Sequence, residues 1–337
     1  MKRRSLLAAA GGSVLTLALA ACGGGSTSAP AASAGASSTS AGSSKAGGLI
    51  TIIVNNPSNP YWAAEGDSAK AAAEALGYKA TVAAHRGDTN TESQLVDTAI
   101  SSGSVALLLD PANADGSVGA VQKAASAGIP VFLINAEINK TGIAKAQLVS
   151  NNAQGAALGA QQWAQLVGQD AQYAELLGAP SDNNAATRSN GYKTVLSQYP
   201  GLKKVAEQVA NWDRTQGHDK MQAMLQANPG VNAVISGNDE MALGAIAALQ
   251  ESGQIGQMKA VGGFDGSPDA VAAIKAGTLS YTVLQPVVTF SKEAVKQADS
   301  FLKTGKTGVD AEKQAFDCTL ITKDNVDKYT APFTMSS

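Results

Sequence analysis

From residue 49 onward, short apolar runs alternate with longer amphipathic stretches. Residues 49–54 (LITIIV), 105–109 and 131–134 are β-branched or leucine-rich runs bounded by Asn, Asp, Pro and Gly, the pattern of buried strands. A further strand is predicted near residues 79–83, and helices over about 61–76, 91–101 and 117–127. After Gln147-Leu148-Val149 the alternation begins again, with helices over 152–167, 186–198, 215–227, 239–249 and 268–276. Strands are predicted between them at 173–177, 203–209, 231–235, 260–264 and 280–284. Alternating strands and helices predict an α/β fold of parallel sheets covered on both faces, joined by right-handed crossovers. Two similar α/β halves predict two lobes with a cleft between them.

The most informative stretch is VNAVISGNDEMALGAIAAL, residues 231–249, which holds a strand, a polar tip and a helix. Asp239 and Glu240 fall in the helix's first turn, where the macrodipole favours negative charge, and Met241, Leu243, Ala245, Ile246 and Leu249 form its apolar side. These first-turn residues belong to the helix. Asn238, at the carboxyl end of the strand, is either a helix cap or a ligand contact, because open α/β sheets bind ligands at that edge. Other strands end in the same way. Asn59, Tyr61 and Trp62 follow the first strand, Asn135 follows 131–134, and Arg188 comes after 173–177. Trp212 follows 203–209, Asp265 follows 260–264, and Gln285 follows 280–284. Singly each has a structural explanation, but together they suit a polyhydroxylated ligand: aromatic faces cover C–H surfaces, while amide, carboxylate and guanidinium groups serve hydroxyls.

Composition narrows the classes. The chain has 337 residues and a formal charge of -2, from 25 basic and 27 acidic residues, and shows no basic patch that would suit nucleic acid. Thirty-five glycines and abundant alanine predict close helix-on-sheet packing. Two cysteines, Cys22 and Cys318, make no disulfide framework, and His85 and His218 lie in no metal-ligand spacing, so neither a metal nor a cofactor is expected. At the amino terminus, Lys2, Arg3 and Arg4 precede an apolar run ending in small residues, the layout of an export signal over 1–21. Leu19-Ala20-Ala21-Cys22 resembles the bacterial lipobox, which implies acylation of Cys22 and attachment to a membrane outside the cytoplasm. Residues 22–48, almost all Gly, Ser, Ala and Thr, form a tether too poor in bulky apolar groups to bury a core. Cys318 is then a lone thiol, expected as a packed small hydrophobe.

The motifs ITIIVNNPSNPYW, ANWDRTQGHDKMQAML, VISGNDEMALGAIAALQ and VGGFDGSPDAV resemble the ribose-binding type of substrate-binding lipoproteins and periplasmic proteins that serve ABC transporters. The likeness runs from about Leu49 to the carboxyl terminus. It implies a two-lobed type I fold whose three-strand hinge closes on a sugar, with one lobe from 49–150 plus 286–316 and the other from 151–285 plus 317–337. By this resemblance Asn59, Tyr61 and Trp62 face the ligand from the first lobe, Arg188, Trp212, Asn238 and Asp265 from the second, and Gln285 lies by the hinge. The implied partners are a small sugar or polyol and a membrane permease, with the chain itself monomeric.

One departure is informative. Where the ribose-binding type usually has Asp-Arg after the fourth strand, this chain reads Ile134-Asn135-Ala136-Glu137, so a guanidinium is missing while Asn135 still offers an amide. Loss of a matched polar partner shifts selectivity by orders of magnitude. The expected ligand is therefore a four- to six-carbon polyol or monosaccharide other than ribose, with tetritols and pentitols ahead. A carbohydrate-active enzyme is the rival from another class, but the chain has no G-x-S-x-G elbow, Walker loop or G-x-G-x-x-G after a strand. Presentation of the ligand to a membrane sensor is the alternative binding role.

Overall fold

The computed structural model describes residues 47–330 and 333–336. The expected export signal, Cys22 and nearly all of the tether lie outside the described residues. In chain order, the first part runs β1 (Leu49–Val54), α1 (Pro60–Ala75), β2 (Lys79–Ala84), α2 (Thr89–Ser101), β3 (Ala106–Leu109), α3 (Val118–Ser126), β4 (Val131–Ile134) and β5 (Ala146–Ser150). The second part repeats the theme with α4 (Asn152–Val167), β6 (Ala171–Leu177), α5 (Asn183–Leu196), β7 (Leu202–Val209), α6 (Arg214–Ala227), β8 (Ala233–Ser236), α7 (Asp239–Glu251), β9 (Val261–Gly262), α8 (Pro268–Ala276) and β10 (Tyr281–Leu284). A last stretch holds α9 (Val287–Thr304), β11 (Lys313–Phe316), β12 (Thr319–Thr322), β13 (Tyr329–Thr330) and β14 (Thr334–Met335).

Two six-stranded sheets result, ordered β2-β1-β3-β4-β5-β11 and β7-β6-β8-β9-β10-β12, and they share one topology. The first is parallel throughout; in the second only β12 runs antiparallel, against β10. Strand β1 is buried along nearly its whole length, and β3, β4, β8 and β10 are buried completely, as continuous apolar runs must be when helices cover both faces. Strand order reverses between β1 and β3 and again between β6 and β8. At such switch points the carboxyl ends of neighbouring strands diverge and leave a crevice for ligands.

Helix starts also set the stage. The side chain of Asn59 caps α1 ahead of Pro60, and Asp182, Asp213, Asn238 and Ser267 cap α5, α6, α7 and α8. At these five strand-to-helix turns a polar residue thus satisfies an orphan backbone N–H while standing at the sheet's carboxyl edge. Glycine brings α6 and α7 together: a Cβ on Gly244 would lie 2.1 Å from the Arg214 carbonyl oxygen, so only hydrogen fits.

The chain passes between the lobes three times, after β5, after β10 and after β11. These passages are bonded to one another. Asn151 N–H donates to Phe316 O at 2.7 Å, and the Gln154 amide both donates to Cys318 O at 3.1 Å and accepts from Cys318 N–H at 2.9 Å. The lobes also touch across the cleft, where Ala114 N–H donates to Ser181 O at 2.9 Å and Asn183 Nδ2 donates to Asn139 Oδ1 at 2.8 Å. The conformation is a closed one. Beyond the expected elements the structure adds α9, which packs on α1, and starts α5 at Asn183, so that Arg188 stands in its second turn. Cys318 is buried, as expected, and burial pushes its thiol up to about 12.

Candidate functional site

Asn59, Tyr61, Trp62, Asn135, Arg188, Trp212, Asn238, Asp265 and Gln285 all line one hollow between the lobes. Asp182 and Asn184, which sequence reasoning missed, complete its wall. The hollow opens outward into a wider recess bordered by Asn55, Asn56, Arg86, Asp213 and Arg214.

Capping and lining turn out to be one job. Asn59 Oδ1 accepts from Tyr61 N–H at 2.9 Å, and Asn238 Oδ1 accepts from Met241 N–H at 3.0 Å. Each cap fixes the oxygen and thereby turns the amide's nitrogen toward the cleft; that of Asn238 makes only a 3.3 Å bond, to Trp212 O. Asp239 and Glu240 serve the helix side, as expected: Asp239 accepts from Ser267 N–H and Thr282 Oγ1, and Glu240 pairs with Arg214.

Three lining residues hold backbone conformations that L-residues rarely adopt: Asn135 (φ 64°), Trp212 (φ 64°) and Asp265 (φ 131°). Such geometry costs of order 1–3 kcal/mol per residue and persists where surrounding structure enforces it. In Asn211-Trp212 both residues have positive φ, and the turn lays the indole over Gly178, where a Cβ would lie 2.1 Å from the ring.

The second-lobe wall is built on Arg188, buried in α5. Its guanidinium carbon lies 3.9 Å from the Phe264 ring centroid and 5.1 Å from that of Trp212. Nε donates to Asn152 Oδ1 at 2.7 Å, Nη1 donates to Gly237 O at 2.9 Å, and Nη1 stands 3.5 Å from Asp265 Oδ1. Asp265 also accepts from Gln285 Nε2 at 2.7 Å. Burial raises the Asp265 carboxyl to about 7, against the opposing pull of Arg188.

On the first-lobe wall, Tyr61 Oη donates to Asn135 Oδ1 at 2.9 Å, and Asn135 Nδ2 donates to Asp110 Oδ2 at 3.1 Å. The amide that the sequence offers to a ligand is therefore largely held by the protein, with one N–H left over. Asn184 Nδ2 reaches across from the second lobe to Asn135 O at 3.1 Å, and the Phe333 ring packs edge-on against Tyr61 at 5.8 Å.

Three buried polar atoms of lining residues have no partner in the protein: Trp62 Nε1, Trp212 Nε1 and Gln285 Oε1. Buried polar groups are almost always satisfied, so two donors and one acceptor left open around a hollow describe the hydrogen-bonding complement of its occupant. Among the described residues no group of three His, Cys, Asp or Glu side chains could hold a metal ion.

Comparison with known proteins agrees with this geometry. Residues 50–307 match the periplasmic binding protein domain. The chain is 49% identical over 282 residues to a D-apiose import binding protein of Actinobacillus succinogenes, covering 83% of this chain and 90% of the relative. It is 48% identical over 280 residues to one of Paraburkholderia graminis, covering 83% and 89%. A solute-binding protein of an ABC transporter from Bacillus halodurans, solved with bound myo-inositol, superposes with a TM-score of 0.77 at 27% identity, covering 84% of this chain and 98% of that one. The chain belongs to the periplasmic binding proteins, and it is an extracytoplasmic solute-binding component of an ABC importer.

Proposed function

We propose that the hollow captures D-apiose, a branched five-carbon sugar, or a short-chain sugar or polyol of closely similar size. The observation that carries this reading is the set of open polar atoms, two indole N–H donors and the Gln285 oxygen, gathered around one hollow between the lobes. Ala136, standing where the ribose-binding type usually has arginine, and the two D-apiose relatives both favour a solute other than ribose. All nine residues expected to bind contribute: Arg188, Asp265, Trp212 and Asn238 from one lobe, Asn59, Tyr61, Trp62 and Asn135 from the other, and Gln285 beside the passage from β10 to α9.

The lobes, 49–150 plus 286–316 and 151–285 plus 317–337, would open to admit the ligand. The ligand would favour closure by touching both walls, and the closed shape would dock on the permease. Acylation of Cys22 would hold a monomeric chain at the membrane on a tether of residues 22–48. Calorimetric titration of the purified protein with D-apiose, xylitol, erythritol, myo-inositol and ribose tests the ligand assignment. D-Apiose is expected to bind at least about tenfold more tightly than ribose, a difference of about 1.4 kcal/mol. Binding to ribose alone would overturn the assignment.

A further inference from the structure

Behind the first-lobe wall lies a carboxyl group with no evident task. Glu65, one helical turn beyond Tyr61 on α1, is fully buried, and neither of its oxygens has a hydrogen-bond partner. An ionised carboxylate left in that state would be among the costliest groups a protein could bury. Its acidic neighbour is Asp110, at the end of β3, also buried. Two carboxylates repel; a carboxylic acid and a carboxylate bond strongly, because one supplies the proton that the other accepts.

The surroundings decide which group holds the proton. Asp110 Oδ2 accepts from Asn135 Nδ2 at 3.1 Å, whereas no donor faces Glu65. Other titratable groups around Asp110 are Tyr61 on α1, Glu92 on α2, Asp182 from the second lobe with Arg188 behind it, and His85 after β2. His85 Nδ1 accepts from Gly87 N–H at 2.9 Å while its Nε2–H donates to the Asp110 backbone oxygen at 2.7 Å, so this ring is neutral. Arg86 borders the outer recess and is exposed.

We propose that Glu65 and Asp110 form a proton-sharing dyad, Glu65 as the acid and Asp110 as the carboxylate, and that the dyad positions Asn135 for the ligand. The proposal rests on the cleft being the ligand site. Asp110 fixes the Asn135 amide from one end while Tyr61 fixes it from the other, and Glu65 keeps Asp110 singly charged and in place. Burial raises both carboxyls well above their ordinary values; the Asp110 charge adds to the rise at Glu65, while the Asn135 amide opposes it at Asp110. As pH rises far enough to ionise Glu65, the acid–carboxylate bond is lost, the two charges repel, and the wall loosens. Ligand affinity therefore has an alkaline limb set by Glu65, distinct from the acid limb set by protonation of Asp265.

The test uses the full chain and D-apiose as probe, with affinities measured by calorimetry over a pH series, and infrared spectra of the ligand-free protein. Glu65→Leu is expected to weaken binding about tenfold and Asp110→Asn by at least as much. Glu65→Gln keeps a donor toward Asp110, so it loses only about threefold and abolishes the alkaline limb while retaining the acid one. At mildly alkaline pH, the spectrum of the unmodified protein minus that of Glu65→Gln should show the carbonyl band of a protonated carboxyl. A difference spectrum showing only carboxylate overturns the dyad, as does an alkaline limb that survives in Glu65→Gln. Failure of the unmodified protein to bind D-apiose refutes the ligand assignment alone, and the infrared spectrum then decides the dyad by itself.

Discussion

The two walls of the cleft meet the same small solute with different chemistry. The second-lobe wall is a charged unit: Arg188 between two aromatic rings, bonded to Asn152 and Gly237 and facing Asp265. The first-lobe wall relays its contacts through neutral or singly charged groups, from Tyr61 through Asn135 to Asp110. A planar fork held on three sides is pre-organised before any ligand arrives, whereas a chain of amide and phenol bonds depends on each member for the next. The difference assigns the grip on the ligand to the second lobe and the completion of the seal to the first.

Removing the fork should break this division most completely. Arg188→Met leaves Asp265 buried beside no cation, which costs the fold about 3–5 kcal/mol; with the group that organises the wall gone, calorimetry should also show affinity falling by at least about a hundredfold. An unchanged dissociation constant would remove Arg188 from the grip altogether. Next comes Asp265→Asn, expected to cost about 1.5–3 kcal/mol of binding through loss of a charged acceptor. It should at the same time stabilise the empty protein at alkaline pH. The folded carboxyl titrates at about 7 against an ordinary 3.8, so between those values the folded state holds more protons than the unfolded one. Stability accordingly declines as pH rises through that window, and the asparagine variant should lack this share of the decline. Thermal melts of the ligand-free protein at mildly acidic and mildly alkaline pH would show it.

Smaller changes sharpen the comparison. Trp62→Phe and Trp212→Phe keep a ring but delete one N–H each, and should cost about 0.5–1.5 kcal/mol apiece by calorimetry. Near-additive losses in the double variant are expected if each indole serves its own ligand atom. Tyr61→Phe should have the least effect, about 0.5 kcal/mol, since its hydroxyl acts on the ligand only through Asn135. A larger loss than that from Trp62→Phe would mean that the relay, and not the indole, dominates the first-lobe wall.

Much of this was legible before coordinates. Polar and aromatic residues just past strand ends had to gather at the carboxyl edges of parallel sheets, and all nine border one hollow. What remained hidden depended on facing rather than spacing. Glu65 looks like any acidic position on a helix surface, and only the packing of α1 against its sheet and α9 shows that it points inward. Asp182 carries a readable cap signal, but a cap does not announce that it also faces a cleft. Asp110 reads simply as a strand's end. Helix α9 carried the signal that would have revealed it, since Val287, Phe290, Ser291, Ala294, Val295 and Ala298 recur at helical spacing and are buried.

The triple passage between lobes bears on how the molecule is made. One edge strand of the first sheet is β11, residues Lys313–Phe316, and it pairs with β5, Ala146–Ser150, from much earlier in the chain. During synthesis, the half that begins first must therefore wait, one strand and one helix short, until nearly the entire polypeptide has been released. Closing so long a loop is slow, which leaves a newly made chain unfinished for an interval in which it can still be threaded through a membrane.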